Sequence, residues 1–195
     1  MTSMQQDNLL VKLYHSKKTI FTLKDVALLW TENDYKNLRA KVAYYVKNGG
    51  LVRLRNGIYA KDKNYNVREL ATSLVTPSYI SFETVLRDEG VIFQHYESIF
   101  AAGSRPREIT CDGRNFIYRQ LQKEILYNPM GIVNDSGIAI ATKERAFLDT
   151  IYLSPKFYFD NLRSINWETC FELVKIYKNQ ELIKRLKRYQ KNYAQ

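Results

Sequence analysis

Residues 33 to 60, NDYKNLRAKVAYYVKNGGLVRLRNGIYA, decide how the first third of the chain is read. Leu38, Val42, Tyr45 and Val46 recur at helical spacing, the pattern of a helix lying on a small core. Asn33, Lys36, Asn37, Lys41, Tyr44 and Lys47 fall away from that stripe or beside it, and Arg39 lies at its edge. Gly49-Gly50 stops the helix, because glycine takes the left-handed conformation that terminates helices. Asn56-Gly57 then predicts a two-residue type I′ hairpin turn. Such a turn pairs Arg55 with Ile58, Leu54 with Tyr59 and Arg53 with Ala60. Leu54 and Tyr59 then face the core, and Arg53 and Arg55 face outward together. A helix followed by this hairpin reads as the second half of a winged helix-turn-helix.

The residues before it supply the first half. Leu9, Leu10, Leu13 and Tyr14 form a helical stripe, with Val11 at its flank. TIFT, residues 19 to 22, suits a short strand that joins the hairpin sheet. Thr22 and Asp25 stand at the spacing of a helix-start cap. Val26, Ala27, Leu29 and Trp30 give the second helix its buried side. We therefore place a winged helix-turn-helix DNA-binding domain at residues 1–65. Its third helix fits a major groove, and its hairpin fits against phosphate or a minor groove. Lys36, Asn37 and Tyr44 are the base-edge candidates, whereas Lys41, Lys47, Arg53 and Arg55 suit phosphate. Arg39 completes the set, although its stem can also snorkel over the apolar stripe. The competing reading makes these residues the solvated surface of a protein-interaction module.

Charge supports the nucleic-acid reading. Of a net +10, residues 1–65 hold 12 Lys/Arg against 5 Asp/Glu, residues 66–160 hold 10 against 12, and residues 161–195 hold 8 against 3. A basic first third is the electrostatic footprint of a duplex-binding module. The balanced middle implies a second domain with other work. No run of about 18 apolar residues suggests a transmembrane helix, and the amino end lacks the apolar segment of a secretory signal. A cytoplasmic protein without a membrane partner is expected. Cys111 and Cys170 are too few for a disulfide framework or thiolate cluster, though counting leaves one disulfide open.

KDKNYN, residues 61 to 66, reads as a linker, with Asn66 capping the helix VRELATSLV. Pro77 ends that helix and Ser78-Tyr79-Ile80 is extended. Ser81 then caps FETVLRDEG, which Gly90 closes. A weak strand at 98–102 precedes REITC and RNFIYR, which flank an Asp112-Gly113 turn that sets Ile109 opposite Phe116 and Arg107 opposite Tyr118. Arginines beside these aromatics raise single-stranded nucleic-acid stacking as an alternative to simple packing. Residues 127–137 read as a turn-rich surface crossover. IAIAT is a strand leading into TKERAFLDTIYLS, a helix capped by Thr142 that buries Phe147 and Ile151. One helix is expected from Trp167 to Tyr177, started by Asn166 or Ser164, and a basic terminal helix docks by Leu182, Ile183 and Leu186.

Four stretches together resemble the AbiEi family, antitoxins of type IV toxin-antitoxin systems associated with abortive phage infection. They are GGLVRLRNGIYA, TPSYISFETVLRDEGVI at 76–92, the REITCDGRNFIYR hairpin, and IAIATKERAFLDTIYL at 138–153. Each is weak alone, and their order makes the resemblance specific. Lys143-Glu144-Arg145 stands where many relatives carry Pro-Glu-Lys. The fold implied is α+β: the winged helix-turn-helix followed by a smaller mixed α/β antitoxin-type domain at 66–195. The resemblance implies an autorepressor that binds inverted repeats in its own promoter; the sequence itself does not require dimerisation and fits a monomer binding cooperatively or a weak dimer. It also implies a functional partner, a nucleotidyltransferase toxin, with no direct complex required. A regulator without antitoxin activity is the alternative.

No enzyme and no cofactor are expected. The chain has two histidines, no phosphate loop, no nucleophile elbow and no metal-ligand cluster. Glu83, Asp88 and Glu89 do not share one helix face. Glu144 and Asp149, five apart, miss the i,i+4 relation and suit the holding of a turn or neighbouring helix better than acid-base work.

Overall fold

A computed structural model describes residues 3–193. Among the described residues the chain is mixed α+β, with nine α-helices and two sheets, and it divides into the compact units Met1–Leu74 and Val75–Gln195.

In the first unit α1 (Ser3–His15) leads through β1 (Ile20–Thr22) to α2 (Leu23–Trp30) and α3 (Tyr35–Lys47). The hairpin β2 (Val52–Arg55) and β3 (Ile58–Ala60) and then α4 (Val67–Leu74) complete it. The antiparallel sheet has the order β1-β3-β2. Thr22 and Asp25 close a reciprocal capping box at the start of α2, and Lys18 pairs with Asp25 at 2.7 Å. Burial pushes the Asp25 carboxyl up. The hydrogen bonds from Lys18 and Thr22 outweigh that and hold it below its ordinary value. The core gathers Leu13, Phe21, Val26, Trp30, Leu38, Val42, Tyr45, Leu51 and Tyr59. Trp30 Nε1 donates to the Leu9 carbonyl at 2.9 Å, so the indole is buried without an orphaned donor. Thr31, at φ 53° and ψ 41°, turns the chain out of α2, and Asp34 caps α3 by accepting from the backbone N–H groups of Lys36 and Asn37.

Three expectations are corrected in this unit. The hairpin pairs Arg55 with Ile58 but Arg53 with Tyr59 and Val52 with Ala60, slipping one residue at Leu54. A type I′ turn needs positive φ at both central residues, and only Gly57, at 79°, has it. Leu54 is consequently half-buried, while Tyr59 reaches the core and both arginines stay exposed. Tyr14 and Val11 are each 48% exposed, and the Tyr14 hydroxyl donates to the Lys61 carbonyl. The chain divides after Leu74 instead of after residue 65. Glu69 of α4 accepts both the backbone N–H and the hydroxyl of Thr19, at 2.8 and 2.6 Å, which fastens α4 to the start of β1.

The second unit, the larger of the two rather than the smaller, is built on a six-stranded sheet of order β6-β7-β5-β4-β9-β8. Its strands are β4 (Ser78–Ile80), β5 (Ile99–Gly103), β6 (Arg107–Cys111), β7 (Arg114–Gln120), β8 (Ile132–Asp135) and β9 (Ile138–Ala141). β4 pairs antiparallel with β5 and parallel with β9, β5 runs parallel to β7, and two hairpins form the edges. The helices are α5 (Glu83–Asp88), α6 (Lys123–Leu126), α7 (Lys143–Leu153), α8 (Trp167–Leu173) and α9 (Gln180–Tyr193). At Asp112-Gly113 both φ values are positive, 50° and 71°, and the register runs unbroken from Cys111↔Arg114 to Arg107↔Tyr118.

Part of the expected crossover at 127–137 is instead strand β8, turned into β9 by Ser136-Gly137, again with two positive φ values. Ser81 does not cap α5. Phe82 holds the cap position at φ 56° and ψ −139°, a conformation nearly reserved for glycine. Its fully buried ring and the Arg119 guanidinium 5.0 Å from it hold the turn. The helix expected across 167–177 ends at Leu173 and tightens into a 3-10 turn, Val174–Tyr177. Asn166 is its cap, and Thr142 caps α7. Leu182 and Leu186 dock α9 completely, with Ile183 half-buried.

Candidate nucleic-acid interface

The core side of α3 carries Leu38, Val42 and Tyr45, so helical geometry turns Lys36, Ala40, Ala43 and Lys47 directly outward. Arg39 leans toward the hairpin. Between α3 and the hairpin lies a cleft of about 610 Å³, lined by Arg39, Ala43, Val46, Lys47, Arg53 and Tyr59 among others. Three cations converge on this cleft, and no carboxylate lines it among the described residues. The Arg53 guanidinium donates to the Asn56 side-chain oxygen at 3.2 Å, which orients it across the turn. Arg55 is exposed at the far end of β2, outside the cleft.

The remaining candidates separate. Lys36, Asn37 and Tyr44 are exposed but do not line the cleft, and the Tyr44 ring stands edge-on to Tyr45 at 5.5 Å. Lys41, expected at phosphate, has a partner within the protein. It is half-buried, and its ammonium pairs at 2.5 Å with Glu32, a residue of the turn before α3. The Lys41 hydrogen bond and the Asp34 backbone N–H hold the Glu32 carboxyl below its ordinary value. Sequence reasoning missed Glu32, whose partnership is a tertiary contact across the turn. It also missed Ala40 and Ala43, although positions four and seven after Lys36 mark them as outward-facing. Small residues there let the helix backbone approach a surface closely.

A second polar constellation lies in the other unit. Asp149 of α7 accepts from Tyr177 at 2.6 Å, Ser81 at 2.8 Å, Tyr79 at 2.9 Å and the Arg145 Nε at 3.2 Å. Arg145 spends its other donors on the Tyr79 oxygen and on the carbonyls of Ile125 and Met130. Burial pushes the Asp149 carboxyl up, opposed by Arg145 and the three hydroxyls. Burial together with Asp149 pushes both phenols well above their ordinary values, so they remain donors. Arg145 and Asp149 are fully buried, and the network acts as an internal fastening. It joins Tyr79 and Ser81 of one quoted stretch to Arg145 and Asp149 of another. Glu144 accepts from the Asn166 N–H, holding the start of α8.

Compared with known proteins, the chain matches no family model and no curated protein.

The β6–β7 hairpin does not offer its rings for stacking. Phe116 and Tyr118 are buried, and Arg119 pairs at 2.5 Å with the Glu83 carboxylate. Among the described residues no group of three or more His, Cys, Asp or Glu side chains could hold a metal ion. Cys111 and Cys170 are buried, and burial pushes the Cys170 thiol up.

Proposed function

We propose that this chain is a DNA-binding transcriptional autorepressor with antitoxin function, of the type IV toxin-antitoxin kind. Its first unit is a winged helix-turn-helix on this reading: α2, the turn at Thr31 and α3 form the helix pair, and β2–β3 is the wing. The observation that carries the proposal is the cleft, lined by no carboxylate among the described residues, where Arg39 and Lys47 of α3 meet Arg53 of the hairpin. Cations on a groove-sized helix and on its neighbouring wing suit the two phosphate walls of a duplex groove. The antitoxin half rests on the ordered resemblance to AbiEi proteins, in which the partner is a nucleotidyltransferase toxin.

The test measures binding to the DNA upstream of the chain's own gene and to a scrambled duplex across a salt series. Arg53→Ala/Arg55→Ala serves as the control. Preference for the upstream duplex that disappears in the double variant supports the operator role. Equal, weak binding to both duplexes refutes it. Co-expression with a neighbouring nucleotidyltransferase toxin tests the second half: loss of growth despite full expression of this protein refutes the antitoxin role.

A further inference from the structure

The loop after α7 and the last turns of α9 enclose a separate cleft of about 300 Å³. Its walls carry Lys156, Arg185 and Arg188 beside Tyr158, Tyr189 and Tyr193, and no carboxylate lines it among the described residues. Tyr158 from the loop is 66% exposed and Tyr193 from the helix is 38% exposed. The cleft is braced from below. Tyr189 donates its hydroxyl to the Phe157 carbonyl at 2.7 Å, and one Arg185 nitrogen donates to the Ile151 carbonyl at 3.0 Å. The Tyr189 and Tyr193 rings stack with centroids 6.3 Å apart. Lys156 and Arg188 have no ion-pair partner among the described residues, and the nearby Glu181 is taken by Lys184.

We propose that this cleft binds single-stranded nucleic acid, with a base stacked on Tyr158 or Tyr193 and its phosphates held by Lys156 and Arg188. Exposed aromatic side chains beside cations suit unpaired bases, whose π-faces a duplex hides. A membrane surface fits poorly. Leu182 and Leu186, the apolar side of α9, are spent in the core and leave no face to insert. The site stands on side chains of the second unit and does not depend on the duplex-binding role of the first.

The test uses the full chain and fluorescence anisotropy of labelled dT12 and rU12, with an abasic dodecamer carrying the same phosphates. Tyr158→Ala/Tyr193→Ala is expected to weaken binding of the base-bearing strands by about ten-fold or more, given the contribution of base–aromatic stacking. Tyr158→Phe/Tyr193→Phe keeps the rings and is expected to restore it. Lys156→Ala is expected to shallow the logarithmic salt slope by about 0.7. Arg39→Ala/Arg53→Ala, in the first unit, is expected to leave single-strand binding intact. The proposal is overturned if the abasic strand binds as well as dT12, or if anionic phospholipid vesicles or polyglutamate compete as well as dT12. It is also overturned if the tyrosine variants bind like the parent, if the Arg39/Arg53 variant abolishes binding, or if neither strand binds.

Discussion

Replacing Glu32 by Gln removes the carboxylate that engages Lys41, and replacing Lys41 by Ala removes a charge already neutralised within the protein. The first change should therefore strengthen duplex binding, and the second should alter its salt dependence little. Lys36, Arg39, Lys47, Arg53 and Arg55 are the exposed cations on α3 and β2 without an ion-pair partner among the described residues. If each neutralises one phosphate, the logarithm of affinity falls against the logarithm of salt with a slope of about −4 to −5 per bound copy. Between 50 and 200 mM salt that slope amounts to a roughly 500-fold loss of affinity. Arg53→Ala should shallow the slope by about 0.9, whereas Lys41→Ala should leave it almost unchanged. Glu32→Gln should steepen it by up to about 0.9 as Lys41 becomes available. Anisotropy of a labelled upstream duplex over five salt concentrations resolves these differences. A Lys41→Ala protein whose slope shallows as much as that of Arg53→Ala would refute the reasoning, because the Glu32 pair would then not withhold that charge.

Three further changes probe the scaffold. Asp149→Asn sets an amide N–H against donors that now meet an acceptor-only carboxylate. It should cost the second unit about 3 kcal/mol or more, lowering its melting temperature, followed by Trp167 fluorescence in a Trp30→Phe background, by about 9 °C or more. A melt coincident with the parent would refute the acceptor role. Thr31→Gly should stabilise the first unit by about 0.5–1 kcal/mol, since a β-branched residue at φ 53° is strained and Thr31 is exposed. Trp30 fluorescence in urea would show the midpoint rising, and a fall would count against the strain. Asp25, held below its ordinary value of 3.8 when folded, contributes stability that is present above that value and is lost as pH falls through the folded pKa. Asp25→Asn should thus be less stable than the parent at pH 7, with the gap narrowing below about pH 4. A gap that is constant with pH would refute the linkage.

Local grammar made much of the fold legible. The α3 stripe, the Thr22–Asp25 box, the Thr142 and Asn166 caps, the Asn66 cap that accepts from the Arg68 and Glu69 backbone N–H groups, and the Asp112-Gly113 hairpin all follow from interactions within a few residues. Their free energies depend on spacing alone, which a sequence displays directly. The cations of the cleft were legible for the same reason, because helical period and strand alternation place Arg39, Lys47 and Arg53 on the surface.

Long-range partnership was not legible. Glu32 reaches Lys41 across a turn, Glu69 fastens α4 to Thr19, and Asp149 collects donors from β4, α7 and the 3-10 turn. The Asn56-Gly57 turn looked equivalent to Asp112-Gly113, yet only the latter takes positive φ at both residues. Composition and periodicity thus determined most of the helices and strands, though not β8 or α6, and where positive charge accumulates. Tertiary structure alone decided which cations remain uncommitted and which carboxylates are buried fastenings, because desolvation and pairing depend on neighbours that the chain brings together only when folded.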